Sequence, residues 1–166
     1  MNLLGMLKFT VMTIVGTSVF AGFSVAQTAN DLVGAWTLVS DENLRPDGSR
    51  VQVMGQDPQG LVIFLIDGRY SLQILRASRP KFASNNRMEE TAEENKAAVE
   101  GANPHWGRYS VNESDKTILF KIEHAFFSNW EGTEQKRPFT LMGDQLTWIA
   151  AASTGGRAEL TWRRAK

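Results

Sequence analysis

Arg137 and His124 are the two side chains whose type and position offer chemistry, and the residues spaced around them define what kind. Arg137 alternates with Gln135, Phe139 and Leu141, so on a strand all four share one face. If that face is the apolar interior, the guanidinium loses its hydration, a penalty of several kcal/mol unless something answers it. Its partner is then a carboxylate of the chain (Glu123 or Glu131), a set of backbone carbonyls, or a ligand carrying a carboxylate, carbonyl or phenolate. His124 continues the alternation Ile118, Phe120, Ile122 and reads as an inward residue, either hydrogen-bonded in the core or free to move a proton. Tyr70 falls with Leu72 and Ile74, Tyr109 with Val111, and Trp148 with Leu146, which adds three aromatic side chains to the same interior.

Much else is excluded. The 166 residues contain no cysteine and two histidines, His105 and His124. Thiolate nucleophiles, thiolate zinc sites and three-histidine metal sites are thereby ruled out. No Gly-x-Ser-x-Gly elbow, phosphate-binding Gly-rich loop, dinucleotide fingerprint or His-Glu-x-x-His occurs, so neither a cofactor nor a metal is expected. Eighteen basic residues balance eighteen acidic ones, which leaves no electrostatic footprint for nucleic acid. At this length, with 42% hydrophobic and 22% charged residues, one globular domain is expected.

The elements that must position these side chains have a period of two. Apolar or alternating runs cover residues 32–40, 60–66, 70–75, 105–111, 116–124, 133–141, 145–151 and 157–164. Turn residues separate them: Asp41-Glu42-Asn43, Asp67-Gly68, the run 112–115, Gly143-Asp144 and the run 153–156. Short strands joined this way predict an antiparallel meander, closed as a barrel or stacked as a sandwich. Residues 86–100 have helix-forming composition and stop at Gly101, which predicts one surface helix with Glu89, Glu90, Glu93 and Glu94 on its solvated face.

The N-terminus reads as an export signal. Residues 1–8 carry one positive charge, residues 9–25 are apolar, and Ser24-Val25-Ala26 supplies small residues for a peptidase. Cleavage after Ala26 would leave residues 27–166 as an exported domain, periplasmic or extracellular and free of the membrane. The rival is a retained anchor, for which this apolar run is short against the roughly 20 residues that span a bilayer.

Gly34-Ala35-Trp36 on the first of these strands and Trp162-Arg163-Arg164 on the last resemble the lipocalin pattern, a Gly-x-Trp covered by a basic residue from the final strand. More closely, the chain resembles the lipocalin-like domain family of bacterial and fungal proteins within the calycin group. Segments 32–40, 58–75, 105–148 and 160–164 carry the likeness. The resemblance implies an all-β fold, an antiparallel up-and-down barrel of about eight strands with one surface helix and an internal cavity. It also directs attention to Arg69, Tyr70, Trp106 to Tyr109, His124, Asn129, Trp130, Gln135 and Arg137. Where the family places Pro before Asn-Trp, this chain has Ser128, which implies a looser 126–132 loop.

The expected ligand-binding set is therefore Arg137, His124, Tyr109, Tyr70, Trp130, Trp148, Trp106 and Gln135, with no catalytic residue assigned. The expected function is binding of a small, largely apolar or carboxylate-bearing molecule. Burial of about 300 Å² of ligand contributes on the order of 7 kcal/mol. Association costs offset much of that; a charge-assisted bond from Arg137 adds roughly 1.5–3 kcal/mol. Two alternatives stand beside it: a cofactor-free isomerase or cyclase using the same cavity, and a filled structural barrel whose inward polar groups satisfy one another.

Overall fold

The computed structural model describes residues 28–153 and 155–166; the expected signal segment lies outside them. One helical turn, α1 (Ala29–Leu32), leads into nine strands: β1 (Gly34–Leu44), β2 (Arg50–Val51), β3 (Gln59–Phe64), β4 (Arg69–Leu75), β5 (His105–Asn112), β6 (Thr117–Ala125), β7 (Glu134–Met142), β8 (Gln145–Ala151) and β9 (Arg157–Arg164). Helix α2 (Ala92–Glu100) lies between β4 and β5. Each strand from β3 to β9 pairs antiparallel with the next, and β1 pairs with both β3 and β9. Eight strands thus close on themselves as the expected barrel. The two-residue β2, absent from the sequence reading, hydrogen-bonds to the far end of β1.

Alternation fills the interior with Trp36, Phe64, Ile118, Phe120, Leu146, Trp148 and Trp162, all fully buried. One end is sealed. Leu32 of α1 is buried there, and its carbonyl accepts the Trp36 indole N–H at 2.8 Å. Arg164 lies 4.1 Å above the Trp36 ring and donates to the carbonyls of Val33 and Asp31. The Gly-x-Trp pattern is therefore closed by Arg164, as its basic partner on the final strand.

The opposite end is a mouth, and a separation of β7 from β8 widens it. β4 and β5 pair from Arg69 to Leu72, and the same register continues past Pro104, where the Asn103 amide donates to the Ile74 carbonyl and Leu75 bridges Ala102. β7 pairs with β6 over Glu134–Pro138 and with β8 over Phe139–Met142. Pro138, which has no N–H to give to a ladder, sits at the changeover.

Two β-bulges correct the sequence reading. In β1 the register jumps between Leu38 and Ser40, leaving Val39 unpaired against β9. Inward positions run Trp36, Leu38 before the bulge and Asp41, Asn43 after it. The expected turn at residues 41–43 is strand, and it carries two polar side chains into the mouth. In β6 the register jumps opposite Trp106 and Gly107, so Glu123 is the extra residue. The alternation that held Ile118, Phe120 and Ile122 inside ends there, and His124 turns outward.

The helix is also shorter than expected. Thr91 caps it, with the Glu94 amide donating to the Thr91 hydroxyl at 3.2 Å and the Glu94 carboxylate accepting from the Thr91 amide at 2.9 Å. This capping box fixes the start at Ala92. Glu94 also accepts from the Ala83 amide, so it is a structural cap as well as part of a solvated face.

Candidate functional site

A cavity of about 80 Å³ opens in the mouth between β1, β4, β5 and β7–β9. Its space exists because Ala150 of β8 and Ala158 of β9 pair directly and both line it. Small side chains on adjacent strands leave a hollow where larger ones would meet. The lining is mixed: Asp41, Asn43, Asn103, His105, Gln135 and Arg137 stand among apolar walls that include Leu72, Ile74 and Leu160. An outer vestibule of about 430 Å³ shares Val53, Met54, Asn103 and Trp130 with it and adds the apolar rim of Val99, Phe126 and Phe127. A chamber with polar groups set among apolar walls, behind a more apolar antechamber, is the resulting shape.

Arg137 is 3% exposed. Its guanidinium lies 4.3 Å over the Phe120 ring and 5.7 Å from that of Trp148. Nη2 donates to the Gln135 side-chain carbonyl oxygen at 2.8 Å and lies 3.3 Å from His105 Nε2, while Nε–H has no acceptor among the described residues. Among the described residues no carboxylate lies within ion-pair distance of it. The two carboxylates considered from sequence are engaged elsewhere: Glu123 with Arg108 at 3.5 Å, Glu131 with His124 at 3.6 Å. Burial draws the Arg137 pKa down to about 10, opposed by Tyr70, so the group stays cationic at neutral pH.

His105, 1% exposed, connects the guanidinium to Tyr70, whose hydroxyl lies 2.8 Å from Nδ1. Burial first, and the Arg137 charge second, hold the imidazole neutral with a pKa of about 2. Burial likewise raises the Tyr70 pKa. Asp41, 8% exposed on the cavity's β1 side, is pushed up to about 6 by burial. Trp130, in the 3-10 turn Ser128–Trp130, sets its ring edge-on to His105 at 5.9 Å and stands between the two chambers.

Of the expected set, Arg137, Gln135 and Trp130 line the cavity; Tyr70 supports it through His105 and Trp148 lies beneath the guanidinium. Tyr109 points inward at the sealed end, where its hydroxyl donates to the Leu65 carbonyl at 3.0 Å. His124 and Trp106 are corrections. Both face outward beyond the Glu123 bulge, their rings 5.2 Å apart, with His124 61% and Trp106 49% exposed. Arg69 and Arg108 are surface residues paired with Asp67 and Glu123, and Asn129 is exposed. Sequence reasoning missed His105, Asp41, Asn43 and Asn103. His105 was within reach, since it alternates with Tyr109 on β5. Among the described residues no three His, Asp or Glu side chains gather as a metal-binding group.

The chain matches the lipocalin-like domain family over residues 33–165 and belongs to it. Among individual proteins it is similar to a 4'-hydroxy-3'-methoxypropiophenone carrier protein of Aspergillus oryzae, with 27% identity over 105 residues, 57% of this chain and 95% of the relative. Among solved structures, a redesigned β-barrel aligns at 16% identity and TM-score 0.46, covering 86% of this chain and 99% of that one. The fatty acid transporter REP1-NXSQ aligns at 13% identity and TM-score 0.39, covering 82% and 98%.

Proposed function

We propose that the protein is a carrier for a small molecule that seats an oxygen acceptor, a carbonyl or carboxylate, against Arg137 and keeps its apolar body in the vestibule. The observation that carries this reading is the guanidinium itself: buried, cationic, lining a cavity and without a carboxylate partner among the described residues. A ligand oxygen there forms a charge-assisted bond where water is scarce, worth roughly 1.5–3 kcal/mol. The largely apolar or carboxylate-bearing guest expected from sequence is narrowed here to one with a polar head, because seven of the lining side chains are polar or charged. The Aspergillus oryzae relative, named for carrying an aromatic ketone, supports a guest of this kind. Catalysis is the weaker reading: His124 lies outside the barrel, and His105 is held neutral and bonded on both ring nitrogens. The signal-like residues 1–26 support export, so that the carrier acts in the periplasm or outside the cell.

Native mass spectrometry of protein purified from its host should reveal a bound small molecule that Arg137→Met no longer retains. If wild-type and variant protein hold the same guest equally, the proposal fails. Intact mass of the exported form should begin at Gln27.

A further inference from the structure

The cavity has a second pole that the carrier reading leaves unused. Asp41 projects from β1 and Arg137 from β7, with β9 and β8 between them. Three strand spacings, about 14 Å, separate β7 from β1 across the wall, and the two residues are also offset along the strands. Ala150 and Ala158 pair in the row that reaches β1 at Asn43, whereas Asp41 pairs with Leu160 one inward position along, and no ion pair joins Asp41 to Arg137 among the described residues. A buried carboxylate without a basic partner is as costly as a buried cation without an anion, unless a guest answers it. The poles are also opposite in hydrogen-bond sense. Arg137 has only donors, and Gln135, whose carbonyl oxygen it already occupies, offers its NH₂ group. An ionised Asp41 has only acceptors.

We propose that the carrier's guest is bifunctional: an oxygen acceptor at one end, bound by Arg137 and Gln135, and a hydroxyl donor at the other, bound by the Asp41 carboxylate. A hydroxyaryl ketone or hydroxyaryl acid has this chemistry on one rigid ring. The apolar part of the molecule passes Trp130 into the vestibule. Burial leaves Asp41 titrating near neutrality, which makes it ionised and ready to accept above about pH 6.

This inference rests on the carrier reading, and calorimetry at pH 7.5 separates the two. The probes are acetophenone and its 3- and 4-hydroxy derivatives, titrated into wild type, Asp41→Leu, Asp41→Asn and Arg137→Met. At least one hydroxy isomer should bind wild type roughly tenfold or more tighter than acetophenone does. Asp41→Leu should abolish that preference, read as the ratio of hydroxy-isomer to acetophenone affinity within each protein; Asp41→Asn, the same shape without the charge, should fall between. Arg137→Met should weaken every probe. If the hydroxy isomers show no preference in wild type, or keep it in Asp41→Leu, the bifunctional guest is ruled out while the carrier reading stands. If no probe binds folded wild type at millimolar concentration, or Arg137→Met changes nothing, both fall.

Discussion

Nη2 of Arg137 lies 3.3 Å from Nε2 of His105, whose Nδ1 lies 2.8 Å from the Tyr70 hydroxyl. A guanidinium cannot accept a hydrogen bond, so Nε2 carries the lone pair and Nδ1 the proton. Tyr70 accepts from His105 and keeps its own hydrogen for another partner. Nitrogen-correlated NMR spectra should show His105 as the neutral Nδ1–H tautomer from pH 8 down to pH 4. A proton on Nε2 within that range would reverse the assignment.

Two buried groups in one cavity should pull stability in opposite directions with pH. His105 has its folded pKa lowered to about 2 from 6.5, so its contribution is complete above 6.5 and is lost as pH falls toward 2. Asp41 is raised to about 6 from 3.8, so its contribution is complete below 3.8 and is lost as pH rises through 6. Denaturant unfolding of Asp41→Asn should give a protein more stable than wild type at pH 7, by on the order of 3 kcal/mol, with no difference below pH 3.8. Wild type should vary little between pH 6 and 4, where the two oppose. The Asn variant should weaken steadily there as His105 acts alone.

Arg137→Met is expected to cost little stability, or to add some. The guanidinium is desolvated and has no carboxylate among the described residues, so its removal strands no buried anion. Breaking a buried ion pair would instead cost about 3–5 kcal/mol. Thermal melts distinguish these outcomes: a fall corresponding to that larger loss would point to a structural role, as in a filled barrel.

Ala150→Leu should fill the hollow beside Ala158. Ligand affinity should drop at least tenfold, with the melting temperature held or raised, since added methylenes enter empty space rather than a packed core. Equal affinity in calorimetry would place the guest elsewhere.

Gly107→Ala should destabilise by at least about 2 kcal/mol, measured by denaturant unfolding. An added methyl would overlap the Lys121 carbonyl oxygen and the Glu123 amide across the bulge, and these are backbone atoms that cannot swing aside. A variant as stable as wild type would mean that the bulge relaxes freely.

Local signals carried the strands and failed where the ladder is irregular. Asp67-Gly68 and Gly143-Asp144 are turns because their glycines take positive φ, a property written in two residues. Arg137 read correctly as inward because no bulge lies between it and Phe139. His124 read incorrectly because the bulge at Glu123 depends on the close approach of Gly107 from the neighbouring strand, a contact no periodicity records. Asp41 was hidden for the converse reason. Asp41-Glu42-Asn43 has the composition of a turn, and only the extra residue at Val39 converts it into the polar wall of a cavity. The start of α2 was legible in Thr91 and Glu94, three residues apart, but the helix-rich composition upstream concealed it.

The changeover at Pro138 has a mechanical consequence. Beside Arg137, β7 keeps its backbone ladder to β6 but has left β8 unlaced over that stretch. A wall stitched on both sides must break backbone bonds before it can bulge outward; this one is stitched on the β6 side only and can part from β8 without breaking ladder bonds. The pouch next to the guanidinium is thus free to stretch around guests larger than its resting size, while the tightly sewn Trp36 end keeps the rest of the vessel in shape.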